Sequence, residues 1–129
     1  NHIMQPQEIS EKVITEGLLK LGLLDGDPEE LHKSGAYKEF YMHKIGHWLG
    51  LDVHDAGDYV EGEEYMKFKP GMITTIEPGI YISSSMDIDD KWKGIGIRIE
   101  DDILVTKDGN ENLTKKVPSD PEEIESLMS

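Results

Sequence analysis

The chain has 129 residues, 36% of them apolar, and 27 acidic against 13 basic residues give it a net charge of −14. That length supports one domain with a core of its own, and the acidic balance excludes nucleic acid as the main partner, because phosphate binding needs a basic face. There is no cysteine, which excludes disulfide and thiolate chemistry and fits a cytoplasmic protein; no apolar run approaches a membrane span and no basic-then-apolar leader opens the chain.

In chain order, His2 and Ile3 precede Met4, so residues 1–4 read as an expression scar and start, and residues 5–129 as the domain. Residues 7–21 predict an amphipathic helix. Ile9, Val13, Ile14, Leu18 and Leu21 recur at helical spacing between charged residues, and Gly22 stops it. Asp27-Pro28-Glu29-Glu30 is a helix start, a capping acid followed by proline and two acids near the positive end of the dipole; this short helix ends near Gly35. Residues 42–114 read as strands and loops. Two strands stand out, Met72 to Ile82 and Ile95 to Thr106, and Asp108-Gly109 turns the second back along Glu111 to Lys115 as a hairpin. Ser119-Asp120-Pro121-Glu122-Glu123 repeats the helix start and leads into Ile124, Leu127 and Met128. Helix, short helix, sheet and helix make an α+β layout.

Three stretches place polar residues where a plain core would not. In IGIRIEDDILV, residues 95–105, strand alternation puts Ile95, Ile97, Ile99, Ile103 and Val105 on one face and Arg98, Glu100 and Asp102 on the other. A solvated strand face looks the same. In MITTIEPGIYI, residues 72–82, Thr75, Glu77, Gly79 and Tyr81 share a face, and Pro78 breaks the ladder just beyond the carboxylate. Glu77 is either a turn marker or a buried carboxylate in need of a cation or several donors. In HKIGHWLGLDVHD, residues 43–55, three of the five histidines gather, and Gly46 lets the backbone approach something closely. A single histidine such as His47 can be a satisfied core residue. One histidine with two strand carboxylates equally suits a divalent ion such as manganese, cobalt or zinc.

Those three stretches, in that order, resemble the catalytic domain of the Xaa-Pro aminopeptidases, relatives of prolidase, creatinase and methionine aminopeptidase in the pita-bread metallopeptidase family. The resemblance runs from about Glu8 to Met128. It implies the C-terminal half of a pita-bread fold, with helices packed on a curved, mainly antiparallel sheet. It also implies two metal ions, most often manganese, held by two aspartates, one histidine and two glutamates. By motif position the ligands in this chain are His47, Glu77 and Glu100, the last bridging both metals. His43 and His54 match histidines that contact substrate and move protons, and Arg98 and Tyr81 match a supporting hydrogen-bond network. The implied reaction is metal-assisted hydrolysis of the bond before proline, with peptides carrying proline in second position as partners. Glu77 would handle the proton of the attacking water, and His54 would stabilise the tetrahedral intermediate.

The two aspartate ligands have no counterpart. Before His43 the only aspartates are Asp25 and Asp27, both in the turn LDGDPEE, and Asp52, Asp55, Asp101 and Asp102 fall at non-ligand places of the motifs. With three of five ligands, the isolated chain is expected to be inactive and to bind one metal weakly or none. Half of a split sheet leaves apolar surface, so a homo-oligomer is expected. Three other readings remain: a prolidase-type dipeptidase, a pita-bread binding module without catalysis, and an α+β domain whose polar strand faces merely meet water.

Overall fold

A computed structural model describes residues 1–129. Helix α1 spans Gln5–Lys20, with proline in its first turn, Glu8 near its N-terminus and Lys20 near its C-terminus, each charge complementing the helix dipole. Gly22 follows at φ +72°, the left-handed conformation that ends a helix at no steric cost to glycine. Of the predicted apolar stripe, Ile14 and Leu18 are buried, whereas Ile9, Val13 and Leu21 are exposed. Helix α2, Pro28–Ser34, begins as its sequence requires, with the Asp27 carboxylate accepting the N–H groups of Glu29 and Glu30 at 3.0 Å. Helix α3, Pro121–Met128, starts in the same way on Asp120 and buries none of its residues.

The sequence pattern did not disclose a 3-10 turn at Ala36–Glu39, yet this turn builds the core. It brings Tyr37, Phe40 and Tyr41 against Ile14 and Leu18 of α1, and Ile82 closes the cluster from the sheet side. Leu18, Phe40 and Tyr41 are almost wholly removed from water. Here the 3.0-residue period of the tight turn replaces the strand or helix periodicity that sequence patterns report.

The strands are β1 (Val60–Glu61), β2 (Glu64–Tyr65), β3 (Ile73–Ile76), β4 (Gly79–Tyr81), β5 (Gly96–Arg98), β6 (Asp101–Val105) and β7 (Asn110–Asn112). All pairings are antiparallel: β1 with β2, β4 with β5, and β3 with β6, which pairs in turn with β7. The two long strands expected over 72–82 and 95–106 are therefore each interrupted, the first at Glu77-Pro78 and the second at Ile99-Glu100. The register survives the interruption. Ile76 faces Asp101 on one side of it and Gly79 faces Arg98 on the other, so Glu77 falls opposite Glu100. Pro78 has no N–H to give the ladder, but its carbonyl still accepts the Ile99 N–H at 3.3 Å. The returning strand of the hairpin is Asn110–Asn112, shorter than the Glu111 to Lys115 expected. Thr114 instead turns its hydroxyl onto the Asp101 carboxylate at 2.8 Å.

Residues Asn1 to Ile3, set apart in the sequence reading, are part of the packing. Phe68 N–H donates to the Asn1 carbonyl, Ile3 N–H donates to the Met66 carbonyl, and the Ile3 side chain is buried. The edge of β3 away from β6 is also occupied. Residues 45–49 run antiparallel along it: Glu77 N–H donates to the Ile45 carbonyl at 2.7 Å, Thr75 N–H to His47 at 3.0 Å, and Leu49 N–H to Ile73 at 3.1 Å. No helix is long and apolar enough to cross a membrane.

Burial, followed by the neighbouring Glu11 carboxylate, pushes the Tyr37 phenol up to about 12. The folded chain then holds that proton more tightly than the unfolded chain, whose tyrosines ionise near pH 10. The stabilisation is complete below about pH 10 and is lost as pH rises toward 12. A Tyr37 ring resonance titrating near 12, and moving toward 10 in Glu11→Gln, is the expected NMR result; a midpoint near 10 in the unsubstituted chain contradicts it.

Candidate metal centre

Three extended segments bring their polar residues to one place. His47 lies across from Thr75 on the 45–49 edge, Thr75 lies across from Asp102, and Glu77 lies across from Glu100. Residues paired across a sheet share a face, as do residues two apart along a strand, so His47, Thr75, Glu77, Glu100 and Asp102 share one face. Arg98 and Tyr81 extend that face through β5 and β4. The edge segment comes this close because residue 46 is glycine: a Cβ there would stand 1.9 Å from the Thr75 carbonyl oxygen.

Glu77 is 8% exposed and is the one buried carboxylate of the chain. Its two oxygens have separate surroundings. Oε1 accepts the Thr75 hydroxyl at 3.0 Å and lies 3.3 Å from His47 Nε2; Oε2 lies 3.5 Å from Arg98 Nη1. Arg98 is held in turn, since its Nε donates to the Tyr81 hydroxyl at 2.6 Å. The Tyr81 hydroxyl lies 3.2 Å from His43 Nε2, and His43 Nδ1 lies 2.8 Å from the Lys44 carbonyl oxygen. A carbonyl can only accept, so Nδ1 of His43 carries a proton and, in the neutral ring, Nε2 accepts the hydrogen bond that the Tyr81 hydroxyl donates. His54 packs edge-on against His47, ring centroids 4.3 Å apart.

Each residue singled out by sequence is thus at or beside this centre. His47, Glu77 and Glu100 offer ligand atoms within 4.8 Å of one another. Arg98, Tyr81 and His43 form a chain leading away from Glu77, and His54 flanks His47. Asp27 is occupied as a helix cap. Two contributors escaped the sequence reading. Thr75 is 1% exposed and touches both Glu77 and His47; its signal was its place two residues before Glu77 on the same strand face. Gln7 of α1 accepts the Ile45 N–H from 38 positions away, and no local pattern announces that contact.

The metallopeptidase family M24 model matches residues 3–107. The chain belongs to the metallopeptidase family M24. This M24 chain is 50% identical to the Xaa-Pro aminopeptidase of Escherichia coli over 117 residues, covering 91% of the chain and 26% of that relative. The solved structure of aminopeptidase PepP from Pseudomonas aeruginosa superposes with a TM-score of 0.95 at 53% identity, covering 98% of the chain and 29% of the other. A zinc-substituted aminopeptidase P from E. coli, in complex with product, superposes at 0.91 and 47% identity, covering 99% and 29%. The fold is accordingly a portion of the pita-bread architecture, and the chain spans less than a third of the length of these relatives.

The donor set fits the divalent metal of an M24 metallopeptidase. His47 Nδ1 lies 3.0 Å from the Trp48 carbonyl, which can only accept, so Nδ1 carries a proton and the neutral ring presents its lone pair at Nε2. That lone pair faces the Glu77 oxygen at 3.3 Å. Two acceptors at that distance repel unless positive charge lies between them, which a proton on Nε2 or a metal cation bound by both supplies. Imidazole with two carboxylates is a ligand set that manganese, cobalt or zinc accepts.

Proposed function

We infer that this chain is the C-terminal part of the catalytic domain of a metal-dependent Xaa-Pro aminopeptidase, which hydrolyses the bond between an N-terminal residue and a following proline. The convergence of His47, Glu77 and Glu100 carries the reading. The names of the relatives supply the substrate class, peptides with proline in second position. The proposed cofactor is a pair of divalent ions, manganese first, with cobalt or zinc able to substitute. His47, Glu77 and Glu100 would hold them, together with two aspartates from outside the chain. A cytoplasmic place of action belongs to the same reading, and fractionation of the source cells tests it.

Bound divalent ions supply Lewis acidity toward the scissile carbonyl and make water a nucleophile near neutral pH. The remaining work falls to side chains already in place. Glu77, buried and with one oxygen aimed at Arg98, can orient a water and take its proton. Arg98 carries a fixed positive charge 3.5 Å from Glu77 Oε2, which helps to hold the carboxylate in place. His54, edge-on to His47, can donate its N–H to the oxygen that gains charge as the carbonyl carbon becomes tetrahedral. Glu77 can then return the proton taken from water to the leaving proline nitrogen, while His43, oriented by the Lys44 carbonyl and accepting the Tyr81 hydroxyl, steadies the Tyr81–Arg98 chain beside it.

Two experiments bear on this reading. The chain alone should show no turnover on Xaa-Pro peptides above the metal-only rate, whereas a longer protein carrying the chain and the two missing aspartates should be active and should lose at least about a thousandfold on Glu77→Ala, which removes a general acid–base group, worth about a hundred- to ten-thousandfold by itself, together with a metal ligand. Turnover by the isolated chain, or an active longer protein indifferent to Glu77→Ala, contradicts it. The second concerns assembly. Ile97 and Ile99 are exposed beside an apolar cleft of about 300 Å³ walled by Leu21, Ile80 and Trp92. The isolated chain is expected to self-associate through that surface. Light scattering should give more than one chain per particle at high concentration; a monomer throughout speaks against it.

A further inference from the structure

We propose that Thr75 is a positioning residue which, before any metal arrives, sets the rotation of the Glu77 carboxylate and locks His47 opposite it. The inference rests on the reading of Glu77 and His47 as metal ligands. A threonine hydroxyl has one proton and two lone pairs. Thr75 Oγ1 accepts the backbone N–H of His47 at 3.0 Å and sends its single proton to Glu77 Oε1 at 3.0 Å. Thr75 N–H donates to the His47 carbonyl at 3.0 Å, so both backbone groups of His47 are tied to one residue. Thr75 is 1% exposed, so no water competes for these bonds. Branching at Cβ restricts the side chain to few rotamers, which gives the hydroxyl a fixed direction.

The one permanently charged protein cation near the carboxylate is Arg98, at 3.5 Å from Oε2, and Arg98 is partly open to solvent. Without the hydroxyl, that attraction is free to rotate Glu77 away from His47. With it, Oε1 spends one lone pair on Thr75 and keeps the other directed toward His47 Nε2. The two ligand atoms are then held at 3.3 Å in advance, and binding need not spend free energy on ordering them.

The test is NMR on the metal-free chain, comparing Thr75→Val, which keeps the shape and removes the hydroxyl, with Thr75→Ser, which keeps the hydroxyl. The unsubstituted chain should show a nuclear Overhauser contact between the His47 ring and the Glu77 side chain, lost in Thr75→Val and retained in Thr75→Ser. The contacts between Ile73 and Leu104 report β3 pairing and should persist in all three. Retention of the His47–Glu77 contact in a folded Thr75→Val chain overturns the proposal, as does its loss in Thr75→Ser. A second measurement needs no variant: in the unsubstituted chain the Thr75 hydroxyl proton should be slow to exchange and give its own resonance with a cross-peak to Glu77. A hydroxyl that exchanges too fast to be seen overturns the proposal even where Thr75→Val fails to fold. Because no metal and no substrate enter, failure here is distinct from failure of the aminopeptidase reading, which is judged by turnover.

Discussion

A carboxylate that gives up water must be compensated, and Glu77 sets the terms for everything packed around it. Burying an ionised carboxylate without partners is among the costliest events in folding. Here the compensation comes from the Thr75 hydroxyl and the Arg98 guanidinium, and His47 faces the same carboxylate, the three residues drawn from three different segments. Those segments must therefore meet in one register. The β3–β4 strand, the β5–β6 strand and the 45–49 edge do meet there, and the pairing continues across the interruption at Pro78 although the ladder does not. A slip of one residue in the β5–β6 strand would turn Arg98 and Glu100 to the opposite face and leave Glu77 without its cation.

The core serves this arrangement from behind. Tyr81 N–H donates to the Phe40 carbonyl, and Phe40 and Tyr41 pack on α1, so the turn that follows α2 fixes β4. Tyr41 also meets the His43 ring edge-on at 4.9 Å. The route from α1 to Glu77 runs through Tyr41, His43, Tyr81 and Arg98, each held by a named contact. Packing and site chemistry share the same residues, which ties the positions of the polar side chains to the stability of the helical layer.

What the sequence disclosed follows the range of the physics involved. Asp27-Pro28 and Asp120-Pro121 predicted two helix starts because a cap acts on N–H groups two and three residues away. The broken ladder at Glu77-Pro78 was legible because proline lacks a donor wherever it stands. The alternation that grouped Thr75, Glu77 and Tyr81, and separately Arg98, Glu100 and Asp102, held because pairing preserved the register through the break. The contacts that stayed hidden act over distance: Gln7 with Ile45, the first three residues with residues 66–68, and the core built on Tyr37, Phe40 and Tyr41. Nothing within a few positions of Gln7 or His2 encodes a partner so far along the chain. The outward half of the α1 stripe, with Ile9, Val13 and Leu21 exposed, shows the converse, since apolar periodicity reports a capacity for burial and not its fulfilment.

A cation shared by His47, Glu77 and Glu100 is the claim on which the functional reading turns, and manganese titration calorimetry of this chain beside its Glu100→Ala variant tests it most directly. Three ligands, without the two aspartates, should hold a single ion weakly, and the loss of Glu100 should reduce that affinity at least about tenfold. Two ions bound tightly by the chain alone, or an affinity untouched by removing Glu100, would contradict it.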